Sequence, residues 1–396
     1  MPTIAQRVQQ HGTTIFSEIN ALAQQHDTIN LGQGRPDFDG PTEIIEATVE
    51  ALRSGLANQY PPGLGISDLR QAISAHAQRR YGLSVNPDDG IIVTCGASEG
   101  IFSAIMGIVN PGDEVILIEP YFDIYLPAIE WAGGIPVYVP MYPPEWRYDP
   151  EELRSAFGPR TRAIILNTPH NPTGRVLKRD ELQLIAELCQ EHDVIAISDE
   201  VYEHLTYEEA KHIPIATLPG MAERTLTISS AAKTYSFTGW KVGWVMGDPS
   251  LITGAWRIHQ NVTFAINHPA QVGIAHALRM PEDYYTNLRH DYAQKREHLL
   301  ATLQSSGFKS FAPEGAFYIM ADFTGLHDGD ANDFTRFLIT EIGVACIPPA
   351  TFFSPEHRHL ARQWVRFAFC KRDDVLQSAS DRLTRLQELR RPAHDR

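Results

Sequence analysis

The sequence predicts an α/β chain: a large domain on a mostly parallel seven-stranded sheet, followed by a smaller α+β domain. Seven short apolar runs carry the first part of this, "GIIVTC", "DEVILIE", "IPVYVP", "RAIILN", "DVIAIS", "RTLTIS" and "KVGWVMG", each with the length and composition of a buried strand. Several intervals between them, such as "SEGIFSAIMGIV" and "KRDELQLIAELCQEH", space apolar residues with helical period. Strands that alternate with helices build parallel sheets covered on both faces. The third observation is length, since 396 residues exceed one ordinary core.

The segment 1–45 is too short to fold alone and is expected to pack with the small domain and across the cleft. Residues 46–280 contain all seven runs and form the large domain. From residue 281 the pattern changes to a long charged helix around "DYYTNLRHDYAQKREHLLATLQ". Separated strands follow, "AFYIMADF", "GVACIPP" and "WVRFAFC", in a small C-terminal domain over 281–396.

Composition narrows the function. A net charge of -14 with no Lys/Arg-rich cluster opposes binding to phosphate backbones, so no nucleic-acid partner is expected. Cys95, Cys189, Cys346 and Cys370 are scattered without C-x-x-C spacing, as reduced thiols of a cytosolic protein would be. The opening "MPTIAQRVQQHGTTIF" has no continuous apolar h-region and no run reaches membrane-spanning length, so a cytoplasmic location without membrane attachment is expected. His357 and His359 in "EHRHL" match no recognised ligand spacing, and no metal is expected.

In open α/β sheets, ligands sit beyond the carboxyl ends of the strands. Polar and aromatic residues cluster there in this chain: Gly96, Ala97 and Ser98 after "IIVTC", Tyr121 and Phe122 after "VILIEP", and Asn167 and Asn171 after "AIIL". Asp199 and Tyr202 follow "VIAIS", and Ser230 and Lys233 follow "TLTIS".

Lys233 is an amine at a strand end, where a low-dielectric cleft favours its neutral form and bond formation with a carbonyl. Asp199 closes an apolar strand, where a carboxylate needs a cation or donors as partner. Pyridoxal 5'-phosphate supplies both partners, a carbonyl for lysine and a ring nitrogen for aspartate, together with a phenolic oxygen and a phosphate. The phosphate suits "GASEGIFSAI", where small residues admit backbone N–H groups and a helix presents its positive end. Taken alone, that stretch reads equally as an ordinary helix cap. Ser98 and Ser230 add hydroxyls, and Lys241 adds a cation. Phe122 can stack on a planar ring, and Asn171 in "NPTG" and Tyr202 can bond its hydroxyl, although "HNPTG" is also ordinary turn chemistry. Arg366 lies among apolar residues in "WVRFAFCK" and reads either as a bidentate grip on a substrate α-carboxylate or as half of an internal salt bridge.

Seven stretches in fixed order, "INLGQGRPDFDGP", "NQYPPGLG", "GASEGIFSAI", "NTPHNPTG", "ISDEVYEHL", "SSAAKTYSFTGWKVGW" and "WVRFAFCK", resemble the class I/II pyridoxal-phosphate-dependent aminotransferases. Within them the kynurenine/glutamine and bacterial methionine aminotransferase branch is most similar, over nearly the whole chain. The resemblance implies the type I pyridoxal-phosphate-dependent transferase fold. It implies transfer of the α-amino group of an aromatic, kynurenine-like, methionine or glutamine-type amino acid to a 2-oxo acid through a Lys233 aldimine. Lys233 would then shuttle the proton, Asp199 would keep the ring nitrogen protonated, and Asn171 and Tyr202 would bond the phenolic oxygen. Phe122 would stack on the ring, and Gly96, Ala97, Ser98, Ser230 and Lys241 would bind the phosphate. Arg366 and Asn167 would meet the substrate carboxylate, and Gly34 would approach the substrate. Tyr60 would reach the phosphate of a neighbouring subunit, which implies a homodimer with shared active sites; Thr263 and Phe264 are also expected from the partner.

Two positions depart from the pattern. Most relatives carry arginine where Lys241 stands, although the kynurenine branch shares the lysine. Arg35 stands where close relatives place an apolar aromatic, and reads either as a reader of a second carboxylate or as a surface ion pair. Phe16, Tyr121 and Phe264 suit an apolar side-chain pocket for aromatic or sulfur-containing donors. Cysteine-conjugate β-elimination on the same fold is the alternative reaction. A serine acyl-enzyme would use the S-x-x-K pattern of "SAAK", but the companion motifs S-D-N and K-T-G are absent.

Overall fold

The computed structural model describes residues 3–9 and 12–390. In chain order the strands are β1 (Ile29–Asn30), β2 (Ile91–Cys95), β3 (Glu114–Glu119), β4 (Ile135–Tyr142), β5 (Arg147–Tyr148), β6 (Thr161–Asn167) and β7 (Ile195–Asp199). There follow β8 (Thr225–Ser230), β9 (Val242–Gly247), β10 (Lys309–Ser310), β11 (Tyr318–Asp322), β12 (Val344–Ala345) and β13 (Trp364–Ala368).

All seven expected runs are strands of one sheet, ordered β2-β9-β8-β7-β6-β3-β4-β5. That order corrects the expected strand number: the sheet is eight-stranded. The additional strand is β5, two residues of "EWRY" antiparallel to the end of β4, with Met141 opposite Tyr148. Too short and too polar to form an apolar run, it lies at an edge where one partner suffices. The other pairings are parallel, except that β9 is antiparallel to both β2 and β8.

Both faces of the central strands are covered, which is why the runs read as continuously apolar. Ile116, Ile164 and Ala196 join one cluster with Leu182 and Ile185 of the helix Arg179–Glu191. Leu117, Ile165 and Ile197, one residue on, join another with Ile101 and Ile105 of the helix Gly96–Ile108. The direction of strand succession reverses between β3 and β6, and the crevice beyond their carboxyl ends is the place such sheets reserve for a ligand.

The C-terminal part contains the expected charged helix, Glu282–Ser305, packed beside the antiparallel sheet β10-β11-β13. The early segment does not stand apart from it. Strand β1 runs parallel to β12, with Ile29 opposite Val344, and Ala368 N donates to the Leu31 carbonyl across 2.6 Å. This stitching leads residues 32–35 over the crevice. No helix among the described residues is long and apolar enough to cross a membrane.

Candidate active site

The crevice is a cavity of about 330 Å³. Fourteen of the residues singled out by sequence line it: Phe16, Gly34, Arg35, Gly96, Ala97, Ser98, Phe122, Asn167, Asn171, Asp199, Tyr202, Ser230, Lys233 and Lys241. They come from the carboxyl ends of five sheet strands, from the overlying N-terminal segment and, for Lys241, from the amino end of the antiparallel β9.

Lys233 sits in the short helix Ala231–Thr234 that follows β8. Its Nζ donates to the Gly34 carbonyl at 3.1 Å and lies 5.7 Å from the centre of the Tyr202 ring and 5.5 Å from that of Phe317. Burial pushes its pKa down to about 8, with Arg366 and Lys241 acting in the same direction. With that pKa the ammonium releases its proton far more readily than an ordinary lysine, giving access near neutral pH to the neutral amine that attacks a carbonyl or accepts a proton.

Asp199 ends β7 and is paired in register with Asn167 at the end of β6. Its Oδ2 accepts from the Tyr125 hydroxyl at 2.7 Å and its Oδ1 from Val201 N at 3.3 Å. Burial drives the carboxyl up to about 6, against both hydrogen bonds and the Lys233 charge. Such a group is suited to sharing a proton with a heterocyclic nitrogen.

A polar chain runs from Asp199 into the C-terminal part. Asn167 Nδ2 donates to the Asp199 carbonyl at 2.9 Å, and Asn167 Oδ1 accepts from Asn171 N at 2.8 Å. Asn171 Oδ1 accepts from Arg366 Nη1 at 2.7 Å, and Arg366 Nη2 donates to the Gly32 carbonyl at 2.7 Å. Arg366 is fully buried, its guanidinium 4.2 Å from the Tyr318 ring centre, and its Nε has no partner among the described residues. It makes no salt bridge there, so the internal-ion-pair alternative finds no partner, and the cation stands behind Asn171 rather than on the cavity wall.

The anion-binding corner forms where β2 turns into the helix Gly96–Ile108. Gly96 adopts φ +70, and a Cβ there would lie 3.1 Å from Lys241 Nζ, so glycine lets the lysine close over the helix start. Gly96, Ala97 and Ser98 at the start of that helix line the cavity together with Ser230 and Lys241, a set of donors and positive charge suited to an anion.

Five residues singled out by sequence lie elsewhere, among them Thr263, at the end of the helix Pro249–Val262. Arg366 is behind the wall. Tyr121 is buried against Tyr138, ring centres 6.1 Å apart, and does not line the cavity. Tyr60 and Phe264 are 84% and 56% exposed and meet edge to face at 5.4 Å. Sequence reasoning missed Tyr125 and Tyr318. Tyr318 was within reach of pattern alone: β11 pairs with β13 so that Met320 opposes Arg366, which makes Tyr318 its diagonal neighbour.

The site fits pyridoxal phosphate on its own terms. It holds a buried low-pKa amine, a buried carboxyl, a donor-rich corner with a glycine cradle, and a buried guanidinium with an unsatisfied N–H. A family model described as aminotransferase class I and II matches residues 26–383. The solved N-succinyldiaminopimelate aminotransferase from Mycobacterium tuberculosis superposes with a TM-score of 0.94 at 42% identity, covering 97% of this chain and 100% of its own. The kynurenine–oxoglutarate transaminase of Dictyostelium discoideum is 40% identical, over 95% of each chain. The methionine aminotransferase of Escherichia coli is 38% identical, over 97% of this chain and 99% of its own. The chain therefore belongs to the class I and II aminotransferases and is a pyridoxal-phosphate-dependent enzyme of amino-group transfer.

Proposed function

We propose that the enzyme exchanges the amino group of an α-amino acid bearing a second, distal carboxylate with a 2-oxo acid. Arg35 is the observation that carries this reading. It lies on the cavity wall, exposed, and its side chain makes no ion pair or hydrogen bond among the described residues. Phe16, Ile101, Phe122 and Ile124 line the same cavity and offer apolar walls. A long side chain with a methylene stem and an anionic end suits both features. N-succinyldiaminopimelate, in the name of the Mycobacterium tuberculosis relative, has this form.

Pyridoxal phosphate, when bound, supplies the electron-accepting ring that allows the substrate's Cα–H bond to ionise. Lys233 Nζ would hold the cofactor and carry the Cα proton, a task its lowered pKa supports. Asp199, oriented by Tyr125, would pair with the ring nitrogen and keep it protonated. Tyr202 and Asn171 would meet the phenolic oxygen, and Phe122 would face the ring. Gly96, Ala97, Ser98, Ser230 and Lys241 would hold the phosphate. Arg366, standing behind Asn171 with an unpartnered Nε, would meet the α-carboxylate together with Asn167. Tyr60, Thr263 and Phe264 serve the neighbouring site of a cytoplasmic homodimer, and Tyr121 backs the wall. In the division into 1–45, 46–280 and 281–396, Arg366 belongs to the small domain and its partner Asn171 to the large one.

None of the relatives named above is a lyase, and amino-group transfer is the reaction to test. Purified holoenzyme is mixed in turn with glutamate, N-succinyldiaminopimelate, methionine and kynurenine, and conversion of the bound cofactor to its pyridoxamine form is followed by absorbance. The dicarboxylic donors are expected to exceed methionine in kcat/KM by about tenfold or more, the scale of one charge-assisted contact. Methionine or kynurenine reacting as well or better contradicts the assignment.

A further inference from the structure

Lys371 is a buried ammonium with an unusual set of partners. It makes no salt bridge among the described residues; its Nζ donates to two main-chain carbonyls, that of Arg35 at 2.8 Å and that of Gln33 at 3.2 Å. A buried lysine is costly unless its donors are satisfied. Here the charge is spent on holding a loop. The residue between those carbonyls is Gly34, whose own carbonyl accepts from Lys233 Nζ.

Further contacts flank it on the same two segments. Ala368 N reaches the Leu31 carbonyl, Arg366 Nη2 the Gly32 carbonyl, and Arg372 N the Asp37 side chain at 2.7 Å. Residues 31–37 are thus fastened along 366–372 of the C-terminal part, while the Lys233 bond is a link from Gly34 to the large domain. Lys371 is the side chain that grips the loop on both sides of Gly34, at the carbonyl of Arg35, a residue that lines the cavity.

We propose that Lys371 is a positioning residue for substrate selection: by pinning the Gln33 and Arg35 carbonyls it fixes the backbone from which Arg35 addresses the distal carboxylate. It touches neither substrate nor cofactor. The inference rests on the reading of Arg35 given above and is tested so that the two fail separately. Holoenzyme variants R35Q, K371M and R35Q/K371M are compared for kcat/KM with glutamate and with methionine, and for cofactor affinity.

R35Q is expected to lower the glutamate-to-methionine ratio about tenfold, through KM. K371M is expected to lower it by a similar factor, again through KM, with cofactor affinity unchanged; a small displacement of a binding group is sufficient for such a loss. The double variant should be no more than about twofold worse than either, because the two act on one interaction. A K371M enzyme with an unchanged ratio, beside an R35Q enzyme with a lowered one, overturns the role of Lys371 and leaves that of Arg35. R35Q with an unchanged ratio overturns both. If K371M does not fold, K371Q, which keeps one donor, should shift the ratio about threefold in the same direction, and no shift in K371Q overturns the proposal.

Discussion

The Tyr125 hydroxyl donates to Asp199 Oδ2 across 2.7 Å, joining the start of the helix Tyr125–Trp131 to the last residue of β7. This bond favours the carboxylate against the burial that opposes it. Tyr125→Phe deletes the donor and moves the Asp199 carboxyl further up. The acidic limb of the kcat/KM–pH profile should shift to higher pH, and kcat near neutrality should fall about tenfold, the scale of one hydrogen bond to a charged group. An unshifted profile contradicts this role for Tyr125.

Asp199 also sets a pH dependence on the cofactor-free protein. Its folded pKa, about 6, lies above the ordinary 3.8. Between those values the folded state binds more protons than the unfolded one, so stability is lost as pH rises through that window. Lys233 acts oppositely: with its pKa lowered from 10.5 to about 8, its contribution to stability grows as pH rises from about 8 toward 10.5. Asp199→Asn keeps an acceptor for Tyr125 and removes the acidic-window loss. The cofactor-free variant should melt about 1–3 °C higher at pH 7, with turnover reduced at least about a thousandfold. A melting temperature that falls at pH 7 contradicts the assigned burial cost.

Much of this was legible in the sequence because strand ends are local. Asp199, Ser230 and Lys233 each close or follow an apolar run whose covering on both faces is dictated by the pleat, so their meeting at one rim follows from parallel topology. What stayed hidden depends on pairings that no local pattern records. Tyr125 reaches Asp199 across 74 positions, and the grip of Lys371 on residues 33 and 35 spans more than 330. Strand β5 was missed because two residues make no period. Tyr121 was expected in the cavity because it follows β3 beside Phe122. Its backbone N instead donates to the Phe352 carbonyl at 2.8 Å, and its ring stacks on Tyr138.

Gly34 is required by close approach. A Cβ at this position would lie 1.9 Å from the Tyr318 hydroxyl, which is itself bonded to the Tyr202 hydroxyl at 2.9 Å. Gly34→Ala must displace the loop or the ring. Its kcat/KM should fall at least about a hundredfold, roughly 3 kcal/mol. Tyr318→Phe in the same chain removes the nearest atom and should recover part of the loss. A Gly34→Ala enzyme with ordinary kinetics contradicts the geometry.

The amine at Lys233 Nζ, its pKa lowered by burial beside the Gly34 carbonyl, is the point on which the chemistry turns. Borohydride reduction of the holoenzyme, followed by digestion and mass spectrometry, should find the whole pyridoxyl mass on the peptide containing Lys233, and none on Lys233→Ala. Recovery of that mass on Lys241, on Lys371 or on no peptide at all contradicts it.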